Sequence, residues 1–195
     1  MPRPLQAPIS RNRHREPIDE RRQRMGGDGI ENKLAEIHPS SFGWALTCCG
    51  WDRQEAEEVL QTSYLKAIDG RARFNGYSST RTWFFAVVRK TALEQRRYRA
   101  VRHGALGRWL QGVPAPAPVA TPESLSGQAE EHEQLREKLL RLSSRQREVL
   151  HLVFYQDLTI EEAAHVLGIS VGSARTHYQR GKTQLRKLLT EAGNP

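Results

Sequence analysis

The sequence predicts an all-α protein with two small helical domains joined by a flexible linker rich in proline and alanine. Apolar residues recur at helical spacing in both halves of the chain, several of these runs begin with capping residues, and LQGVPAPAPVATPESLS separates them. Alternating proline and alanine cannot form a helix interior and favours an extended spacer. The expected divisions are a basic arm over 1–29, a first domain over 30–108, the linker over 109–129, a second domain over 130–190 and a tail over 191–195.

The charge composition of the chain indicates which class of partner it binds. The 195 residues include 30 Lys and Arg against 22 Asp and Glu, which gives a formal net charge of +8. Such an excess indicates a polyanionic partner, either nucleic acid or an anionic membrane surface. No apolar run approaches the roughly 18 residues that span a bilayer, and the N-terminus lacks the apolar core of a signal peptide. We therefore expect a cytoplasmic protein without membrane insertion.

The basic arm, residues 1–29, is rich in Arg, Pro and Gly and has little hydrophobic periodicity. This composition predicts disorder, because too little apolar surface is available to form a core. The arm either serves as a solubilising tail or contacts nucleic acid without sequence preference.

Neither the cysteines nor the histidines indicate a metal or a cofactor. Cys48 and Cys49 are adjacent, which suits neither a structural disulfide nor a metal finger. We expect them to be small buried residues of a reduced protein, with redox sensing as a minor alternative. The seven histidines are scattered. No cofactor, metal site or catalytic residue is expected.

Three amphipathic runs make up the first domain, at about 37–46, 56–67 and 83–93. The second run has an acidic strip on its exposed side, formed by Glu57, Glu58, Gln61 and Leu65. An acidic strip does not bind DNA. In a basic protein it is either a solvated face or a docking surface for a protein partner.

The loop after this helix, DGRARFNGYSSTRTWFF, interleaves basic and aromatic residues. Single-stranded nucleic acid is held by aromatic stacking together with positive charge, and an unstacked base needs a shaped pocket. The candidate contacts are Arg71, Arg73, Asn75, Tyr77 and Ser78. Phe74 and Trp83 are expected to anchor the loop in the core instead.

The third helix has a basic face. Arg89 and Lys90 recur seven residues later as Arg96 and Arg97, so each pair lies on one side of a helix. From residue 89 to residue 108 there are seven Lys or Arg and one Glu. A solvated face normally mixes both signs, so this face favours contact with phosphates.

The second domain opens with the charged run EEHEQLREKLLRL, continues with SSRQREVLHLVFYQ and ends in a helix-turn-helix pattern. We expect its core to include Leu139, Leu140, Leu142, Val149, Leu150, Leu152, Val153 and Phe154.

The stretch LTIEEAAHVLGISVGSARTHYQRGKTQL predicts the helix-turn-helix. Thr159 and Glu162 have the spacing of a capping box, Gly168 suits a left-handed helix stop, and Ser170 offers a second cap. The second helix of such a motif lies in the major groove with its first residues at base edges. Base contacts are expected from Ser173, Arg175, Thr176, His177 and Gln179, and phosphate contacts from Arg180, Lys182 and Arg186. The alternative is an ordinary helical hairpin with a solvated basic face.

Two longer stretches resemble a known family. EAEEVLQTSYLKA followed by TWFFAVVRKTALEQRRYR resembles region 2 of bacterial sigma factors, and LSSRQREVLHLVFYQDLTIEEAAHVLGISVGSARTHYQRGKTQLRKLL resembles their region 4. Both regions in this order, with a short linker, are similar to the extracytoplasmic function (ECF) class of the sigma-70 family. The resemblance covers about residues 35–189. It implies a transcription initiation factor, without enzymatic activity, that binds core RNA polymerase and directs it to promoters.

The resemblance also implies roles for the candidate residues. The acidic strip matches positions that bind the clamp helices of the polymerase β′ subunit, and region 4 implies a contact with the β flap. The loop at 70–80 matches the loop that captures a flipped base of the −10 element, and the basic third helix matches the part that contacts and opens −10 DNA. The recognition helix matches the reader of the −35 element. An anti-sigma factor is the expected regulatory partner.

Gly181 stands where the family often has alanine. Glycine in a helix interior costs up to about 1 kcal/mol relative to alanine, so we expect a looser recognition helix.

Two other classes of protein remain as alternatives. A stand-alone LuxR-like helix-turn-helix regulator would bind duplex DNA, as a dimer on a two-fold site, and would leave the acidic strip unexplained. A nucleic-acid hydrolase would need clustered carboxylates or a metal near the basic face, which the sequence lacks.

Overall fold

The computed structural model describes residues 27–107 and 127–191. Residues 1–26, 108–126 and 192–195, which include most of the expected arm, linker and tail, lie outside the described residues. Those described form eight α-helices and no strand. They are α1 (Gly27–Glu36), α2 (His38–Cys48), α3 (Arg53–Ile68), α4 (Thr80–Gly107), α5 (Gly127–Leu140), α6 (Ser144–Phe154), α7 (Ile160–Leu167) and α8 (Val171–Glu191). The predicted all-α class is confirmed.

Side-chain caps determine where two of the helices begin. Asp52 accepts a hydrogen bond from the backbone N–H of Glu55 at the start of α3. Ser143 and Gln146 form a reciprocal capping box at the start of α6. Each cap satisfies backbone donors that have no partner inside the helix.

The core of the first domain is built on aromatic residues of α2 and α4. Trp44, Phe84 and Phe85 are fully buried. The indole N–H of Trp44 donates to the backbone carbonyl of Phe85 at 2.9 Å, which satisfies the one polar atom of this buried ring. Phe74 meets the ring of Trp83 edge-on with 5.2 Å between centroids, as expected for two residues that anchor the loop.

The two domains pack directly against each other, α2 against α6 and α4 against α7. One cluster of buried side chains runs from Leu34 in α1 to Ala174 in α8 and includes residues of both domains. In a smaller buried cluster, Leu188 of α8 packs with Leu142 and Leu150. Interdomain packing on this scale is not visible in the hydrophobic pattern, because a helix face has the same periodicity whichever partner covers it.

A chain of hydrogen bonds follows the apolar contact between the domains. Arg81 donates to Oε1 of Gln156 at 2.7 Å, and Nε2 of Gln156 reaches Nε2 of His151 at 3.0 Å and the carbonyl of Ser40 at 3.3 Å. Because the amide nitrogen of Gln156 can only donate, Nε2 of His151 accepts and the ring proton is on Nδ1, 2.9 Å from the hydroxyl of Thr47. His151 is therefore neutral at this contact between the domains, which we call the seam.

Two residues expected in the second core are exposed. Leu140, the last residue of α5, is 41% exposed. The helix packs mainly against α8, and Leu140 lies on its outward side. Phe154 is 55% exposed and stacks on the ring of Tyr178 with 5.7 Å between centroids. The remaining leucines and valines of that expected core are buried or half-buried.

Candidate nucleic-acid interface

The helix-turn-helix is formed by α7 and α8, and its predicted caps are present. Thr159 accepts from the backbone N–H of Glu162 at 3.1 Å, while Glu162 accepts from the N–H of Thr159 at 2.9 Å. Gly168 ends α7 in the left-handed region with φ of 58°, a conformation that costs side-chain-bearing residues energy. The hydroxyl of Ser170 accepts from the N–H of Ser173 at 3.1 Å and caps α8.

The outer face of α8 presents the predicted base and phosphate contacts to solvent. The exposed members are Ser173, Arg175, Thr176, Gln179, Arg180, Lys182 and Arg186, and His177 is half-buried. The inner face is held by Ala174 and Leu188, both buried. Arg175 lies 3.8 Å from Glu161, an exposed pair that DNA phosphates or bases can displace at little cost.

Gly181 lies where α8 packs against α6. A Cβ atom at this position would be 3.1 Å from Cβ of Gln146 and 3.1 Å from Cδ1 of Leu150. Glycine therefore permits the two helices to approach more closely than a residue with a side chain would. This packing offsets the helix propensity that glycine lacks.

The acidic strip of Glu57, Glu58, Gln61 and Leu65 is exposed along α3. Leu65 is 53% exposed, although it is a large apolar residue. A groove of about 470 Å³ runs beside the strip, and its lining includes Phe42, Leu60 and Tyr64. The strip thus combines the Glu57 carboxylate at its rim with an open apolar groove, as a protein-docking surface does, while Glu58 is paired with Arg99 at 2.8 Å.

The loop between α3 and α4 places its polar candidates on the surface. Arg71, Arg73, Asn75 and Tyr77 are exposed and Ser78 is half-buried. Tyr77 is 77% exposed, which leaves its ring free to stack on a base. The Arg71 guanidinium, 2.6 Å from Asp69, lowers the pKa of that carboxyl.

The second domain covers one residue of the basic face of α4 and leaves three exposed. Lys90, Arg96 and Arg97 are exposed. Arg89 is only 8% exposed; it donates to Glu148 at 3.2 Å and to the backbone carbonyl of Leu167 at 3.2 Å. Since α6 and α7 cover this side of α4, Arg89 does not join the other three at the surface in this arrangement.

Glu148 is a residue whose importance the sequence-based reasoning missed. Its carboxylate lies among Arg89, Arg145 and the apolar residues of α6, and burial raises its pKa although Arg89 acts in the opposite direction. A signal was present, because Glu148 is four residues before the core residue Leu152 and so shares its helix face. A carboxylate on an apolar face requires a buried partner.

The described residues hold no group of three or more His, Cys, Asp and Glu that could bind a metal ion. Within the same two segments, none of the helices has the length and apolarity needed to cross a membrane.

Two family models match the chain. The model described as Sigma-70 region 2 matches residues 37–102, and the model described as Sigma-70, region 4 matches residues 132–185. The first match covers the acidic strip, the loop and the basic helix. The second covers the helix-turn-helix.

Individual relatives are similar over most of their length. The chain is 30% identical to RNA polymerase sigma factor YlaC of Bacillus subtilis over 139 residues, 71% of this chain and 80% of YlaC. It is 29% identical to ECF RNA polymerase sigma factor SigX of the same organism over 140 residues, 70% of this chain and 71% of SigX. The solved structure of the sigma factor RpoE in complex with the anti-sigma factor NepR, from Bartonella quintana, superposes with a TM-score of 0.64 at 24% identity, over 83% of this chain and 96% of that chain.

Proposed function

The chain belongs to the sigma-70 family of RNA polymerase sigma factors, ECF class, and from this premise we propose which of its surfaces contact polymerase and which contact promoter DNA. It is a transcription initiation factor that directs core RNA polymerase to promoters. Sigma factors have no enzymatic activity of their own. We retain 30–108 and 130–190 as its two domains, joined by the linker over 109–129, and infer that it acts in the cytoplasm.

The acidic strip on α3 docks on the clamp helices of the β′ subunit. Three of its members are polar and the fourth, Leu65, is an exposed apolar residue at the edge of the groove beside α3. The exposed Glu57 carboxylate beside an apolar groove fits a partner helix that offers basic and apolar side chains. Glu57 is paired with Arg53 across an exposed 3.1 Å contact, which costs little to exchange for a partner's cation.

The −10 element is held by the loop and by the basic face of α4. The exposed ring of Tyr77 supplies a stacking surface, and Arg71 and Arg73 supply positive charge next to it. Lys90, Arg96 and Arg97 contact the phosphates that follow.

The −35 element is read by α8 from the major groove. Ser173, Arg175 and Thr176 are in its first two turns, where this motif contacts base edges. No carboxylate occurs between Arg175 and Lys187, so the outer face of the helix carries no charge that repels phosphates. The same domain is expected to contact the β flap.

Arg89 can contact DNA only after the domains separate. Its guanidinium is enclosed by Glu148 and the end of α7, so promoter binding by the whole basic face requires α6 and α7 to leave α4. We infer that core polymerase favours the separated form, because it engages both domains at different places on the promoter. An anti-sigma factor would favour the packed form and hide both kinds of surface. The similar structure of RpoE is a complex with an anti-sigma factor, NepR.

The observation that carries this assignment is the pairing, in one basic chain, of an exposed acidic strip on α3 with an exposed recognition helix on α8. The test is run-off transcription with core RNA polymerase on promoter fragments from the source genome. Wild type is compared with Glu57→Lys, Gln61→Ala. We expect discrete transcripts from wild type and a loss of at least tenfold in the double variant.

Glu137→Lys is the matched control, because it makes the same charge change at another exposed helical position. It should transcribe like wild type. If wild type binds duplex DNA specifically but never supports initiation, the polymerase-docking assignment is wrong and the helix-turn-helix acts alone.

A further inference from the structure

A cavity of about 410 Å³ lies between the two domains, where the ends of α2 and the start of α3 meet α4 and α6. Small-molecule sites commonly range from about 300 to 1,000 Å³. The cavity is therefore large enough for a small ligand and too small for a nucleic-acid duplex.

Positive charge dominates the lining of this cavity. It contains two carboxylates, Glu55 and Glu148, and five guanidinium groups, those of Arg89, Arg96, Arg99, Arg145 and Arg147. Its two thiols add no negative charge, because burial raises the pKa of Cys49 to about 12 and also raises that of Cys48. The formal excess is three positive charges.

The carboxylates are already shared among three of the arginines. Glu148 contacts Arg89 at 3.2 Å and Arg145 at 3.4 Å, while Arg99 contacts Glu55 at 3.0 Å and also Glu58, outside the lining, at 2.8 Å. The lining arginines outside these ion pairs are Arg96 and Arg147.

Within the described parts of the chain Arg96 and Arg147 form no ion pair of 4 Å or less, although the Glu148 carboxylate attracts both from a longer distance. Arg147 is stacked over the ring of Trp51 at 5.7 Å, and its Nε is buried without a hydrogen-bond acceptor among those residues. The Arg147 residue lines the cavity, so an anion there would pair with the positive charge of its guanidinium. One of the two residues belongs to the first domain and the other to the second.

We propose that this cavity binds a compact diphosphate group, either free pyrophosphate or the phosphates of a nucleotide, between Arg96 and Arg147. Guanidinium groups bind phosphate oxygens in a bidentate manner. Two linked phosphates offer one anionic group to each of these two guanidiniums.

Such a ligand stabilises the packed arrangement of the domains, because it contacts both of them and its site is divided when they separate. It also occupies Arg96, which we assign to −10 DNA. Bound diphosphate would therefore oppose promoter recognition, a consequence that rests on the proposed function, whereas the binding itself does not.

The test of binding is isothermal titration calorimetry of the full chain with inorganic pyrophosphate and, separately, with ADP, at constant ionic strength. Wild type should bind one ligand per chain. Arg96→Ala and Arg147→Ala should each lower the affinity at least tenfold, and Arg180→Ala, an exposed arginine outside the cavity, should leave it unchanged. Tighter binding of ADP would identify a nucleotide as the source of the phosphates, and equal affinities would identify free pyrophosphate.

Several results would overturn the site. The first is the absence of binding at millimolar ligand. The others are binding of more than one ligand per chain and an equal loss of affinity in Arg180→Ala, because both would indicate diffuse attraction to surface charge.

Hydrogen exchange tests whether the ligand links the two domains. Pyrophosphate should slow amide exchange in α6 and α7 of wild type and have no effect in Arg147→Ala, and equal slowing in both would contradict the bridging role. Circular dichroism establishes that the variants are folded.

Discussion

Arg89 donates from Nε to Oε2 of Glu148 across 3.2 Å, and this ion pair joins the basic helix α4 to the helix that precedes the helix-turn-helix. Only 9% of the Arg89 side chain and 8% of the Glu148 side chain are exposed. A residue assigned to promoter DNA is therefore neutralised inside the protein by the other domain. The contact opposes DNA binding by that residue for as long as the domains stay packed.

Loss of this pair should open the protein. Glu148→Gln leaves the Arg89 charge buried without compensation, which costs about 3–5 kcal/mol against the packed arrangement. We expect the domains to separate, because separation returns Arg89 to water. Small-angle X-ray scattering should show a larger radius of gyration, while circular dichroism should show unchanged helix content.

The control for this prediction is Glu133→Gln, which removes an exposed pair with Arg136 at 2.7 Å. Exposed pairs contribute less than about 1 kcal/mol, so its scattering curve should match that of wild type. A Glu148→Gln variant as compact as wild type would show that apolar contact alone keeps the domains together.

The seam between the domains should weaken in acid. Burial lowers the pKa of His151 from 6.5 to about 4 in the folded protein. Below pH 6.5 the unfolded chain binds a proton at this residue and the folded chain does not. Stability is therefore fully present above about pH 6.5 and declines towards pH 4, with a slope from His151 of up to about 1.4 kcal/mol per pH unit.

Urea unfolding between pH 4 and pH 7.5 measures this dependence. His151→Gln should reduce the slope over that range, and His165→Gln, an exposed histidine on α7, should not. Equal slopes in wild type and His151→Gln would mean that other groups cause the acid sensitivity.

A side chain at residue 181 should destabilise the second domain. Gly181→Val places its Cβ 3.1 Å from Gln146 and from Leu150 and adds two methyl groups beyond that contact, so we expect a loss of about 1–3 kcal/mol. Gly172→Val is the control, because nothing lies within 4 Å of a Cβ there. Thermal unfolding compares the two, and an equal effect of both would contradict the close approach of α6 and α8.

Two arginines of α8 should differ in what they contribute to promoter binding. Arg175→Ala should cost about 1–3 kcal/mol on the preferred −35 sequence and relax specificity, since it is placed for a base edge. Arg186→Ala should weaken binding to all sequences and reduce the slope of log affinity against log salt by about 1. Holoenzyme binding to promoter and scrambled fragments at several salt concentrations separates the two, and identical profiles would remove the distinction.

Local interactions made much of this protein predictable. The capping box of Thr159 and Glu162, the left-handed stop at Gly168 and the cap at Ser170 each involve residues within three or four positions of one another. Such interactions form in any context that permits the helix, so the helix-turn-helix and its exposed face followed from the order of the residues. The acidic strip on α3 followed in the same way from helical periodicity alone.

Only the tertiary structure decided which helix faces meet. Arg89 and Glu148 are 59 positions apart, and Thr47 and His151 are 104 apart, so no periodic pattern relates them. The same absence of a local signal explains why helical periodicity groups Arg89 with exposed residues and predicts only a looser helix at Gly181. The sequence by itself determined the all-α class, the caps of the helix-turn-helix and the family. The packing of one domain on the other, and with it which charges are buried and which cavity lies between them, depended on contacts between distant residues.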